Sequence, residues 1–381
     1  MPPIPLLISA GEASGDMYAA RLATALQKRM DVALFGMGGP QMRAAGVEIV
    51  TDYKEVSVVG ITEILRHLPS LIHAMRHVVS EARRRKPPFA ILTDFPGFHL
   101  RLARKLRPLG VRSIYYVCPQ FWAWRPWRVR IIRRRFAEAL CIFPFEEAFF
   151  ANAGVPTKFI GHPLVDAVHA TQSREDFCRE QNLDPAKPIV TILPGSRHAE
   201  LAQHMPIIRE ACRLVHAQRH TQFVVAAATH ANIDDLRTGW SPDLSVRVVE
   251  NQTYNALAAA DTAIVSSGTA TVETALLNVP MVVVYRVTPL TAALAKPLVR
   301  TKFFSMVNLV ADRQVVPELM QSAFTPERVS LEVLRLLNDP RAREDLRSGL
   351  AEVRNRLGPP GAVDRAADAI AALLATLAGN A

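Results

Sequence analysis

Short apolar runs alternate with helix-period segments twice over along this chain of 381 residues, and that alternation restricts the fold more than any other feature. Ile4–Ser9 leads into a helical pattern from Asp16 to Arg29, Val32–Phe35 into the turn Gly36-Met37-Gly38-Gly39-Pro40, and Phe89–Thr93 into Asp94. Ser113–Val117, Ala139–Phe143 and Lys158–Ile160 complete a first series of six strands. A second series runs Ile189–Leu193, Phe223–Ala227, Val246–Val248, Ala263–Val265 and Met281–Tyr285. Strands separated by helices build parallel sheets covered on both faces. The spacing therefore predicts two doubly wound α/β domains, 1–165 and 166–344, with the polar stretch 161–187 as the linker. Two such sheets facing a cleft would present their strand carboxyl edges, where open α/β sheets bind ligands, to its walls. The tail from Pro326 reads as helices broken at Gly358-Pro359-Pro360-Gly361, and its Ala/Leu-rich end must pack on something.

Two turns carry the clearest chemistry. Gly195-Ser196-Arg197 follows one apolar run, and Ser267-Gly268-Thr269-Ala270, with Glu273 a turn later, follows another. Each closes a buried strand with small residues and opens a helix, so backbone N–H groups and a positive helix end face whatever lies above the strand. Arg197 adds a forked cation suited to phosphate, and Glu273 an acceptor for ribose hydroxyls. Together they favour a nucleotide diphosphate over two ordinary βα turns. Neither an Asp-x-Asp pair nor a His/carboxylate cluster with ligand spacing occurs, so no metal or other cofactor is expected, and helix ends and Arg197 would stabilise a departing diphosphate.

A net charge of +10 requires an anionic partner: nucleic acid, a membrane surface or phosphorylated substrates. Cys118, Cys141, Cys178 and Cys212 are scattered and read as small buried hydrophobes of a protein from a reducing compartment. The first residues read as a strand, and no apolar run approaches the ~18 residues that span a bilayer.

In the first domain, the run Ser9 to Asp16 closes a strand and opens a helix. Glu12 and Asp16 would repel phosphate there and suit sugar hydroxyls, with Ser14 beside them; a capped helix start explains Asp16 equally well. Met37 lies in a glycine-rich loop open to close approach by a ligand, or in a tight turn. Asp94 ends a strand immediately before Phe95-Pro96-Gly97, where a carboxylate could take a proton from an attacking hydroxyl; Glu12 is its rival on the same edge. An apolar stripe with a basic border includes Leu65, Leu68, Leu71, Ile72 and Met75. It fits an anionic membrane surface or, on the stripe alone, a core-facing helix. Phe121 to Arg128 then concentrates Trp122, Trp124 and Trp127 among arginines, which suits interfacial anchoring, base stacking or a pocket floor.

SAGEASGD, GMGGPQM, DFPGFHLRLA, YYVCPQFWAWRPWR, FIGHPLVD, LPGSRHAEL, SSGTATVETALLNVP and VNLVADRQVVPEL occur in this order, and the series resembles the lipid-A-disaccharide synthase family. The resemblance implies a GT-B fold whose C-terminal helices, about 345–381, return to the first domain. It implies a metal-independent, inverting transfer of 2,3-diacylglucosamine from UDP to 2,3-diacylglucosamine 1-phosphate at the cytoplasmic face of the inner membrane. Asp94, Arg197 and Asn308 match residues that the family needs, Glu273 and Ser267–Thr269 its nucleotide site, and Glu318 follows Asn308 in the same loop. His99 stands where many members have Asn. The competing assignments are another UDP-sugar enzyme of this architecture, an N-acetylglucosamine 2-epimerase or a peptidoglycan-type N-acetylglucosaminyltransferase. A basic nucleic-acid-binding protein would leave both phosphate-type turns unused. A homodimer stays open.

Overall fold

Strands β1 (Ile4–Ala10), β2 (Val32–Gly38), β3 (Glu48–Asp52), β4 (Phe89–Thr93), β5 (Arg112–Tyr116), β6 (Phe136–Cys141) and β7 (Thr157–Phe159) form one parallel sheet in the computed structural model, in the order β3-β2-β1-β4-β5-β6-β7. A second parallel sheet takes β8 (Ile189–Leu193), β9 (Gln222–Ala227), β10 (Ser245–Glu250), β11 (Thr262–Ser266), β12 (Met281–Tyr285) and β13 (Glu318–Met320), in the order β10-β9-β8-β11-β12-β13. The structure describes residues 2–55, 68–124, 126–228, 232–288, 291–292 and 301–378. All five residues of β4, β8 and β11 are buried, as expected of strands covered by helices on both faces. The sequence reading lacked β3 and β13. Both are edge strands, one half-buried and polar, the other three residues long, so neither shows a continuous apolar run.

The chain divides into a first unit, Met1–Pro163 with Gly358–Ala381, and a second, Leu164–Leu357. In the first unit, helices α1 (Ala13–Gln27), α2 (Pro40–Ala44), α3 (Leu68–Arg85), α4 (Pro96–Leu106), α5 (Val129–Arg135) and α6 (Pro144–Asn152) cover the sheet. The second unit contains α7 (Arg174–Gln181), α8 (His198–Gln218), α9 (Thr253–Ala258), α10 (Thr269–Leu276), α11 (Met306–Ala311), α12 (Pro326–Asn338) and α13 (Pro340–Arg356). The polar stretch 161–187 is therefore not a bare linker. It carries α7, capped by Ser173 accepting from the Asp176 N–H, with Phe177 and Cys178 buried.

The return to the first unit starts later than residue 345. Helix α13 packs on α10 and α11 through Leu346, Leu350 and Val353, and only the C-terminal helix Ala362–Ala378 lies against α1. Arg365 anchors that helix, donating to the carbonyls of Ile160 (2.8 Å), Pro359 (2.7 Å) and Pro360 (2.7 Å). Arg29, two residues past the end of α1, adds ion pairs to Asp364 (2.9 Å) and Asp368 (2.6 Å). All four cysteines are buried free thiols.

Because Arg365 satisfies three carbonyls with one charged group, Arg365→Ala should cost about 1.5–3 kcal/mol, the range for hydrogen bonds to charged groups. Thermal denaturation should show the loss. Arg29→Ala, whose partners are largely exposed, should cost less.

Candidate active site

In each sheet the winding reverses between two neighbouring strands, β1 and β4 in the first and β8 and β11 in the second. There the connections leave in opposite directions and a crevice opens at the carboxyl edge. Both of the turns singled out in the sequence lie at the second sheet's reversal.

They line one cavity of about 660 Å³, which takes Gly195, Ser196, Arg197, Ser267, Gly268, Thr269, Ala270 and Glu273 together. Gly268 has φ +155° at the start of α10, a conformation that strains any L side chain, so the close turn requires glycine. The Glu273 carboxyl accepts from the Tyr254 hydroxyl at 2.8 Å, and burial raises its pKa. Residues Asn251–Asn255, which run from the end of β10 into the first turn of α9, close the cavity's side. Sequence reasoning missed them, because this loop carries no glycine signature.

An internal anion already sits at the first turn. Glu200 accepts from the backbone N–H groups of Ser196 (3.2 Å) and Arg197 (3.4 Å) and from Arg197 Nη1 (3.2 Å). This is a capping arrangement of helix α8, and it demonstrates that the turn holds a carboxylate's negative charge. Arg197 itself is largely exposed, so its guanidinium is accessible from the cavity side.

Asn308 and Glu318 act behind this wall. The Asn308 side chain is fully buried, donating to Val316 O (2.9 Å) and Glu318 Oε1 (2.7 Å) and accepting from the Val315 (2.7 Å) and Val316 (2.9 Å) N–H groups. Glu318 in turn accepts from the N–H groups of Phe304 and Ser305, both at 2.9 Å. The Ser267 hydroxyl donates to Phe304 O at 3.0 Å. Asn308 thus has all its polar capacity in use inside the protein and staples a segment that braces the second turn.

At the first sheet's reversal, Ala10 pairs with Thr93, so the turns beginning at Gly11 and Asp94 emerge side by side. A Cβ on Gly11 would lie 2.2 Å from the Phe95 ring, so only glycine admits this approach. Asp94 and Phe95 both take positive φ, 50° and 45°, strain that surrounding contacts must impose. The clamp is on the Asp94 carbonyl, which accepts from Tyr115 OH (2.8 Å) and His99 Nδ1 (2.8 Å). Since a carbonyl only accepts, His99 carries its proton on Nδ1, and Nε2 accepts from Ser9 Oγ at 2.9 Å. Burial holds the His99 pKa down to about 4. The departure at position 99 is therefore a neutral, fully engaged brace, closed to a ligand.

Burial, then the nearby Glu12 carboxylate, pushes the Asp94 pKa up to about 6. Glu12 is exposed. A further carboxyl, unmarked in the sequence, stands close by: Glu146, wholly buried, accepts from Trp122 Nε1 (3.1 Å) and the Phe143 N–H (3.2 Å). Burial pushes its pKa to about 8. A helix-start pattern at Pro144 signals only a cap, which explains why it was missed.

Four expectations need correction. Asp16 is buried and spent on the start of α2, accepting from the N–H groups of Gly39 (2.7 Å), Gln41 (2.9 Å) and Met42 (3.2 Å); it caps a neighbouring helix and offers nothing to a sugar. Met37 is fully buried in the core, because it points inward from β2. Met75 belongs to the same core, and Leu71 is half-buried against it, so α3 uses this side of its stripe for packing. Ile72 is 44% exposed. Leu65 and the Leu68 side chain lie outside the described residues. Ser14 is exposed near the Glu12 turn.

Among the described residues no group of three or more His, Cys, Asp or Glu is arranged to hold a metal ion, and no helix is long and apolar enough to cross a membrane.

Two doubly wound parallel sheets, with a turn-lined cavity at the reversal of the second, define the GT-B architecture. Its likeness extends to MurG of Acinetobacter baumannii (TM-score 0.57, 17% identity, 97% of this chain and 99% of that one). It extends equally to UDP-GlcNAc 2-epimerase from Neisseria meningitidis bound to UDP-GlcNAc (TM-score 0.67, 11% identity, 98% and 100%). At such identities the likeness defines the fold alone. Sequence similarity is more specific. The family model described as Lipid-A-disaccharide synthetase matches residues 6–358. The lipid-A-disaccharide synthase of Solibacter usitatus (strain Ellin6076) is 46% identical over 373 residues, covering 97% of each chain. That of Myxococcus xanthus (strain DK1622) is 42% identical over 372 residues, with the same coverage. The chain belongs to the lipid-A-disaccharide synthetase family, and it is a glycosyltransferase of lipid A synthesis.

The titration of Asp94 is directly measurable. Its carboxyl should titrate near pH 6 by NMR, and Glu12→Gln should lower that value, because removing a neighbouring negative charge favours the ionised form. An unchanged or raised value would contradict the pairing.

Proposed function

We propose that this protein condenses UDP-2,3-diacylglucosamine with 2,3-diacylglucosamine 1-phosphate, forming the β-1,6-linked disaccharide 1-phosphate and releasing UDP. The observation that carries the reading is the convergence of both βα turns, Arg197 and Glu273 on one cavity in a chain of this family. The uridine nucleotide occupies that cavity, its ribose toward Glu273 and its diphosphate toward the N-terminus of α10, where N–H groups and the helix dipole favour negative charge. Arg197 exchanges its pairing with Glu200 for the diphosphate as the sugar–phosphate bond breaks.

The acceptor half-site is the Asp94 edge of the first unit. A sugar alcohol is too weakly acidic to attack unaided, so a carboxylate must receive its proton. Asp94 takes the proton of the 6-hydroxyl as that oxygen bonds to the anomeric carbon from the face opposite the diphosphate; the C–O bond to phosphate breaks and configuration inverts. Of the two candidates on this edge, Asp94 is favoured over Glu12. Burial and Glu12 itself raise its basicity, and the clamp on its carbonyl fixes the backbone that carries it. A base of pKa near 6 remains ionised at neutral pH while binding a proton more strongly than an ordinary Asp.

The leaving charge is met by helix N–H groups and Arg197, so the transfer proceeds without a metal ion. The lipid chains of both substrates place the enzyme at the cytoplasmic face of the inner membrane, with the exposed side of α3 and the basic helices toward anionic lipid.

Mass analysis of products from the two lipid substrates tests the reaction, and its failure in the presence of EDTA would overturn the metal-free mechanism. Asp94→Asn should reduce the transfer rate by roughly 10²–10⁴-fold, the usual contribution of a general base, while UDP affinity stays at the wild-type value. Arg197→Ala should cost roughly 10²–10³-fold, as loss of one preorganised donor does. If Asp94→Asn transfers normally and Glu12→Gln does not, Glu12 is the base.

A further inference from the structure

A second concave feature of the first unit has no role in the scheme above. Between α4 and α5 lies a groove of about 260 Å³ lined by Arg101, Arg104, Arg128 and Arg135, with Trp127 and Ile131 as apolar wall. Among the described residues that line it, none is acidic. Arg104 and Arg135 repel each other across this small volume, and an anion between them would relieve that repulsion.

Three of the cations make contacts that hold them in place. Arg135 Nη1 donates to Leu100 O at 2.7 Å, and its pKa is lowered, by burial first and then by the charge of Arg104. Arg101 donates to Gly97 O. The Arg128 guanidinium lies over the Trp127 ring, 5.5 Å from its centroid. Trp127 is 60% exposed, an apolar surface left to water beside this cationic groove. That combination, forked cations and an uncovered aromatic wall, suits a phosphate attached to an amphiphile.

The groove's position selects which phosphate. It begins at Pro96 and Gly97, in the first turn of the helix that follows Asp94. The Arg101 backbone is five residues past Pro96, about 7.5 Å of helix rise, and its guanidinium reaches back to the Gly97 carbonyl, so a phosphate there sits within roughly one sugar ring of the Asp94 edge. A bilayer phospholipid has no need of that spacing, whereas an acceptor with its 6-hydroxyl at Asp94 carries its phosphate at the other end of the same ring. We infer that the α4–α5 groove binds the phosphomonoester of the acceptor, with Arg101 and Arg104 as its principal ligands. This assignment rests on the acceptor reading given above.

Arg101 and Arg104 are exposed, so the Arg101→Gln/Arg104→Gln variant should fold, and a Tm close to wild type checks this. KM should be measured with 2,3-diacylglucosamine 1-phosphate and with 2,3-diacylglucosamine lacking the phosphate, in detergent. For the phosphorylated acceptor the variant's KM should rise roughly tenfold or more, the equivalent of losing one to two charge-assisted bonds. The donor KM should not move, and with the unphosphorylated acceptor the variant should equal wild type. Arg104→Lys, which keeps charge but loses the fork, should fall between.

An unchanged KM for the phosphorylated acceptor would overturn the assignment, as would equal losses with both acceptors. If only binding to phosphatidylglycerol vesicles weakens, the groove serves the bilayer and the assignment is wrong. Calorimetric binding of the phosphorylated acceptor to wild type and variant without donor keeps this test separate from the reaction. Should wild type make no disaccharide, the functional reading fails, while a binding difference between the two proteins would still support the groove.

Discussion

A parallel strand buried on both faces satisfies its backbone only within the sheet, so chemistry is confined to the edge where the chain leaves. In each sheet of this protein that edge is opened at one place, where the winding reverses between β1 and β4 or between β8 and β11. Everything assigned to the site follows from these two reversals. They put Asp94 beside the Glu12 turn, and they bring two phosphate-type turns, more than 60 residues apart in sequence by Gly195 and Gly268, to one cavity.

The two half-sites use opposite electrostatics. The reversal of the second sheet, proposed above as the nucleotide side, offers N–H groups, a helix end and an exposed Arg197, with Glu200 paired to that turn. The reversal of the first sheet, proposed above as the acceptor side, gathers carboxyls where burial disfavours their charge: Asp94 is raised to about 6 and Glu146 to about 8. A carboxyl whose folded pKa exceeds its unfolded value binds protons more readily when folded, so each of these groups opposes folding increasingly as pH rises through that interval. Backbone strain at Asp94 and Phe95 adds to the cost. The clamp by Tyr115 and the neutral His99 holds the Asp94 backbone in this conformation.

Short-range chemistry was legible. The βα alternation, both glycine turns, Asp94 at a strand end and the ordered motif series all depend on residues close in sequence, where periodicity and turn preference act directly. The edge strands β3 and β13 escaped because they are short and only half apolar. Helix α7 was hidden in a polar stretch, its apolar content reduced to Phe177 and Cys178.

Tertiary structure decided the roles of side chains whose partners are distant. Nothing local distinguishes an Asp16 that caps its own helix from one that caps α2 more than 20 residues away, nor a Met37 in a ligand loop from one in the core. Asn308 looks like a site residue in sequence, and its bonds to Val316 and Glu318 make it a staple of the site instead. Burial is a property of the packed whole, so the basicity of Asp94, the neutrality of His99 and the presence of Glu146 emerge only once helices close over the sheet. The sequence by itself determined two wound sheets, the turns that end their strands and the family. Packing alone decided which polar groups those turns leave for a substrate, because a hydrogen bond already made to the protein is one that no ligand can claim.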